Sequence, residues 1–201
     1  MNHQDAIAAV LTVGEGRGFV VKTDKQRLVI TAAHCLPYFP RCASISQLED
    51  RTYQALLGRI GEAPAVWAEC LFADPIGDIA VLGPPDNQAL SQEWDAYSAL
   101  TGSTAPLIVA DVPNEGTGWM LSLDGQWFKC DVRHEDGPLW IFDAAKDIEG
   151  GMSGSPIVDD KCSAIGVLCA AARTSGEKYT EGGPNPRLIY NLPGWLLQEL
   201  H

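Results

Sequence analysis

Two serines stand one residue apart in "GMSGSP" (151–156), a turn of small residues. A serine hydroxyl attacks a carbonyl only when a base removes its proton and a third group orients that base. The turn therefore gains chemical meaning only if the chain also supplies a histidine and a carboxylate in suitable settings. Of the 4 histidines, His3 and His201 lie at the ends, and His134 precedes Glu135, Asp136 and Gly137, which read as a surface turn. His34 differs, because the apolar stretch "LVIT" (28–31) delivers it through Ala32 and Ala33 to a bend. Taken alone, it reads more readily as a satisfied core histidine than as a base. The carboxylate candidate is Asp78 in "DPIGDIAVL". It stands directly before an apolar run, where a carboxylate is buried and needs a partner. Asp74, before Pro75, reads as a turn residue.

Short strands must position these groups. In the first half they are expected over 7–13, 18–22, 27–31, 53–57, 66–72 and 79–82, separated by Gly, Pro and Asp turns. Gly14, Gly16 and Gly18 have a nucleotide-loop flavour. However, Phe19, Val20 and Val21 continue as a strand where such a loop needs a helix, so a bend is the better reading. Pro84, Pro85 and Asp86 break the pattern, and Leu90, Trp94 and Tyr97 then fit one face of a short helix. A second strand series is expected over 107–110, 118–123, 127–134, 139–142, 155–158, 164–169 and 188–190. The polar stretch 173–186, rich in Gly and Pro, reads as a long mobile loop. Pro193 opens a closing helix with Trp195, Leu196 and Leu200 on one face.

Composition narrows the class. The 201 residues are 46% hydrophobic with 20 Gly and 13 Pro, which points to an all-β protein with many turns. No apolar run approaches the ~20 residues that span a bilayer, so no membrane partner is expected. A net charge of −12 opposes binding to phosphate backbones, and no nucleic-acid partner is expected. The short apolar stretch 6–13 lacks the basic start of an export signal and reads as a first strand, which implies a cytoplasmic location. The 6 cysteines contain no C-x-x-C pair. The repeated C-x6-C spacing of Cys35/Cys42 and Cys162/Cys169 is a weak metal signal, so reduced thiols are expected, with no metal and no cofactor.

Together, "TAAHC" (31–35), "GDIAVL" (77–82) and "GMSGSP" resemble the three signature blocks of the trypsin-like (chymotrypsin-fold) serine proteases. They stand in the order His, Asp, Ser, 44 and then 75 residues apart. The resemblance extends to bacterial intracellular trypsin-like peptidase domains. It implies two six-stranded antiparallel β-barrels with the active site in the cleft between them, plus a C-terminal helix. The chain would be one peptidase domain: first barrel 1–84, connection 85–105, second barrel 106–191 and helix 192–201. The implied roles are Ser153 as nucleophile, His34 as base and Asp78 as its orienter, with the Gly151 and Ser153 N–H groups as oxyanion hole. Asp147, six residues before Ser153, matches the floor of the specificity pocket and implies cleavage after Lys or Arg.

Several positions depart from the pattern. Met152 replaces the aspartate that secreted trypsins carry before the nucleophile, so activation through a new N-terminal ion pair is unavailable. Cys35 has no upstream partner for the disulfide that braces the histidine loop. Cys169 falls where the family places a serine that supports the buried aspartate. Small domains of this kind also resemble the proteolytic effectors of bacterial signalling and antiviral-defence assemblies, which implies protein or peptide substrates and an activating protein partner. The alternative is a catalytically silent, protease-like binding module; an intact triad argues against it.

Overall fold

A computed structural model describes residues 2–40, 51–112, 114–134, 137–169 and 180–200. Cys42, His201 and the 173–179 part of the expected loop lie outside the described residues.

The apolar runs "FVV", "RLVIT" and "IAVL" do not alternate with polar residues, because both faces of their strands are buried. Strands β1 (Val10–Val13), β2 (Gly16–Lys22), β3 (Arg27–Thr31), β4 (Thr52–Arg59), β5 (Val66–Asp74) and β6 (Ile79–Gly83) close into an antiparallel barrel ordered β1-β2-β3-β6-β5-β4. One face of the central strands points into the barrel, where Val20, Val29, Ala80 and Leu82 pack together. Residues of the opposite parity, Phe19, Ile30, Ile79 and Val81, join a separate core with Leu121, Val158, Val167 and Leu196 of the second half. A period of two thus feeds two cores at once.

The second half holds β7 (Glu115–Leu121), β8 (Trp127–Arg133), β9 (Leu139–Phe142), β10 (Pro156–Val158), β11 (Ala164–Val167) and β12 (Gly182–Asn185). They form one curled sheet ordered β11-β10-β7-β8-β9-β12. Among the described residues, β11 meets the segment that follows β12 through the Gly166–Arg187 bridge and the Val167 N–H donating to the Pro186 carbonyl at 3.2 Å. Met120, Phe128, Ile141, Met152, Ile157 and Ile165 fill its interior. The molecule is therefore mostly β with six strands in each half, as expected; the first six close into a barrel, and the second six curl into a half-barrel.

Helix α2 (Ser91–Gly102) occupies the connection. It buries Tyr97, Leu100 and Thr101, while Trp94 stays on the surface. The Tyr97 hydroxyl donates to the Leu82 carbonyl at 3.2 Å and so plugs one end of the barrel.

Several expectations need correction. Ala6 and Ile7, expected to open the first strand, instead end helix α1 (His3–Ile7), because the Asn2 side chain accepts from the Asp5 N–H at 2.9 Å and the Asp5 carboxylate accepts from the Asn2 N–H. Leu188–Asn191 is helix α3, and α4 (Gly194–Leu197) follows it; Leu196 is buried there but Trp195 is exposed. Residues 107–110 make only isolated bridges. Within the stretch read as a long loop, β12 pairs with β9. His134 is buried, not on a surface turn: its Nε2 meets the Val112 carbonyl at 2.9 Å, and Arg187 Nη1 donates to its Nδ1 at 2.8 Å.

Candidate active site

Neighbouring strands bring His34 and Asp78 together. Thr31 at the end of β3 pairs with Ala80 near the start of β6. A 3₁₀ turn (Ala33–Cys35) after β3 therefore hangs directly over the residue that precedes β6. Asp78 Oδ2 lies 2.7 Å from His34 Nδ1, and Asp78 Oδ1 accepts the His34 backbone N–H at 2.9 Å. One carboxylate thus fixes both the ring and the backbone of the same histidine. Asp74 instead accepts the Ile76 N–H in its own turn, as expected.

Electrostatics follow from that contact. The hydrogen bond to Asp78 raises the His34 pKa; partial burial opposes this, and the negative charge of Asp78 adds to it. Burial pushes Asp78 upward, but the bonds from the His34 ring and N–H outweigh it and hold the carboxyl below its ordinary range. The Cys169 thiol donates to the Asp78 carbonyl at 3.2 Å, so a sulfur supports this residue from behind. Burial pushes the Cys35 thiol up to about 11, and burial with the nearby Asp78 charge raises Cys169 further. Both stay protonated at neutral pH and are poor nucleophiles.

The two serines have different surroundings. Ser153 is half-buried and lines a cavity of about 510 Å³ together with His34 and Gly151. Ser155 is fully buried, and its hydroxyl has no hydrogen-bond partner among the described residues. No hydrogen bond joins Ser153 to His34 among the described residues; such contacts often tighten only around a substrate. Gly151 has φ +89°, and neither its N–H nor that of Ser153 finds a backbone acceptor among the described residues. Asp147 is half-buried with Oδ1 unpartnered, and it is not among the residues lining this cavity. Its neighbour Lys146 pairs instead with Asp124 at 3.1 Å.

Arg17 is absent from the sequence reading, and the support that Met152 gives is not visible there. Arg17 donates its backbone N–H to the Ser153 carbonyl at 2.7 Å, and its buried guanidinium reaches the Leu121 carbonyl at 2.8 Å and the Ser122 carbonyl at 3.1 Å. A lone arginine in a strand gives no signal of this. Met152 is fully buried, with its sulfur accepting the Glu149 N–H at 3.3 Å. Where an ionic lock was missed, an apolar anchor holds the turn.

Among the described residues, no group of three or more His, Cys, Asp or Glu side chains is placed to hold a metal ion. No helix there is long and apolar enough to cross a membrane. The five described cysteines, Cys35, Cys70, Cys130, Cys162 and Cys169, are free thiols.

A closed antiparallel barrel packed on a curled six-stranded sheet is the architecture of the chymotrypsin fold. The family model of the trypsin-like peptidase domain matches residues 16–167, and the chain belongs to that family, as a serine protease hydrolase. No curated protein matches it in sequence. Among solved structures it is similar to the Rv3671c protease of M. tuberculosis in its inactive form, with 19% identity, TM-score 0.56, and coverage of 96% of this chain and 90% of that one. The MamO protease domain of Magnetospirillum magneticum matches at 15% identity and TM-score 0.58, over 94% and 98% of the two chains. A human pathogenic astrovirus serine protease matches at 18% and 0.55, over 100% and 99%. At these identities the likeness is one of fold.

Proposed function

We propose that the protein is an endopeptidase that works through Ser153, His34 and Asp78. The observation that carries this reading is the double grip of Asp78 on His34 beside a cavity that also exposes Ser153. His34 Nε2 takes the proton as Ser153 Oγ attacks the scissile carbonyl carbon. The resulting oxyanion accepts from the Gly151 and Ser153 N–H groups, each worth roughly 3–4 kcal/mol at such sites. Collapse breaks the C–N bond, and His34 returns the proton to the departing amine. Water, deprotonated by His34, then cleaves the Ser153 acyl ester. Asp78 holds the tautomer and stabilises the imidazolium.

Substrate choice before the scissile bond is assigned to Asp147, supported by its place in the motif and its unpartnered Oδ1. Lys or Arg is the expected residue there, and Asp147→Ala should erase that preference. Control by an activating partner is part of the same reading, supported by resemblance to effector proteases. Full turnover by a dilute monomer would remove it. The free thiols accord with a cytoplasmic location.

Labelling by a fluorophosphonate separates an enzyme from a silent binding module. Wild type should label, and Ser153→Ala and His34→Ala should not. Ser155→Ala should label and cut peptides like wild type, and should be equally or more stable, since it removes an unpartnered buried hydroxyl. Equal loss in Ser153→Ala and Ser155→Ala would refute the choice of nucleophile.

A further inference from the structure

The cavity beside Ser153 has a built wall. Strand β4 bulges between Tyr53 and Leu57, with Ala55 at φ +47°, and this turns Gln54 and Ala55 toward the cavity. Bulges next to catalytic centres commonly re-aim side chains in this way. The adjoining wall is the turn between β1 and β2, which contains Glu15. The Gly14 N–H donates to the Leu56 carbonyl at 2.9 Å and ties turn to bulge. At Gly16 a Cβ would come within 2.5 Å of Cys35 Sγ and 2.7 Å of the Ser153 carbonyl, so only glycine permits that approach. With Arg17 bonded to the Ser153 carbonyl, Glu15 is held in a fixed place relative to the nucleophile.

Charge distinguishes this wall. Among the described residues lining the cavity, Glu15 is the only ionisable oxygen or nitrogen group besides His34, and it has no ion pair or hydrogen bond to any of the described residues. Its position also tells which part of a peptide it meets. On the proposed reaction, His34 must protonate the departing amine, so the leaving segment passes over His34. The walls beyond His34 are Cys35, Leu36 and Pro37, then the bulge and the Glu15 turn. The residues that follow the scissile bond therefore enter this cavity, away from Asp147.

We propose that Glu15 is the specificity residue for the leaving-group side, selecting Lys or Arg in the first two positions after the scissile bond. This rests on the peptidase reading above. The substrate class is a basic peptide whose cation enters a mixed cleft in which Glu15 is the one carboxylate among the described lining residues, beside the polar Gln54 and His34 and small or apolar neighbours. An exposed ion pair of this kind is worth up to roughly fivefold. The effect should weaken with salt.

The test uses internally quenched peptides with one fixed acyl side and Arg, Gln or Glu in the first two leaving-side positions. Wild type, Glu15→Gln and Glu15→Lys are compared by kcat/KM, each normalised to the fraction labelled by a fluorophosphonate. Wild type should favour Arg over Gln by up to about fivefold, and Arg over Glu by more, since like-charge repulsion then adds to the lost pair. Glu15→Gln should flatten the order, and Glu15→Lys should reverse it. A reversal is a result that mere structural support by Glu15 would not produce. The same order in all three proteins would overturn the Glu15 role while leaving the peptidase reading intact. No cleavage of any peptide by labelled wild type would overturn both.

Discussion

Because the Asp78 bond raises the His34 pKa, the pH profile of the reaction carries the signature of the pair. The base must be neutral, so kcat/KM should climb with pH through a midpoint above the ordinary 6.5 of histidine. Asp78→Asn removes the charge and the acceptor that favour the imidazolium. Its midpoint should fall back toward 6.5 or below, with turnover lower by roughly 10⁴-fold. An unshifted midpoint in that variant would show that Asp78 does not control His34. The same pair has two linkage limbs. The His34 contribution to stability is present below its unfolded pKa and lost as pH rises through the raised folded value. The Asp78 contribution is present above its ordinary 3.8 and lost as pH falls through the lowered folded value. The apolar runs beside His34 and Asp78 single them out in the sequence, but only the resemblance carried by the three ordered blocks joins them, since His34 alone reads as a core histidine. Arg17 is not singled out, since its neighbours across the fold, Leu121 and Ser122, lie 104 and 105 residues away in the chain.

Single elements show where local pattern suffices and where pairing decides. The central barrel strands are legible because burial on both faces writes an unbroken apolar run. Strand β12, "GGPN", is not, because its strand geometry comes from β9 rather than from its own propensities. The five-residue α1 was hidden because its capping box begins at the second residue, leaving only a short stretch to read. The nucleophile turn is the most constrained element. Gly154 has φ +81°, and a Cβ there would lie 1.8 Å from the Arg17 carbonyl oxygen and 2.6 Å from Thr31 Oγ1. Backbone must move to admit any side chain. Gly154→Ala should therefore cost about 3 kcal/mol or more in urea unfolding and abolish Ser153 labelling. Gly125→Ala is the control: its φ is +77°, but nothing lies within 4 Å, so only about 1 kcal/mol of backbone strain is expected. Equal losses in the two variants would mean that strain at positive φ, not the Arg17 contact, fixes the turn.

Across the whole molecule, the site depends on how two sheets with separate interiors are held in register. The shared core of Phe19, Ile30, Ile79 and Val81 against Leu121, Val158 and Val167 supplies adhesion but little direction, since apolar burial is non-directional. Arg17 supplies direction. From β2 its guanidinium, 5% exposed as a residue, grips the Leu121 and Ser122 carbonyls at the end of β7, while its N–H holds the Ser153 carbonyl. Burial lowers its pKa, the expected sign for a cation removed from water, yet the carbonyl dipoles compensate part of that cost. Arg17→Met keeps much of the volume and the backbone bond but leaves two carbonyls without their side-chain donor. Each unpaired buried group costs about 1–3 kcal/mol, and relief of the buried charge offsets part of it, so a net loss near 2 kcal/mol is expected. Activity should fall further than stability alone explains, because the β2 backbone that carries the Ser153 contact loses its anchor on the second sheet. Urea unfolding together with kcat/KM under fully folded conditions measures both. A variant as stable and as active as wild type would show that the apolar core alone sets the register of the two sheets.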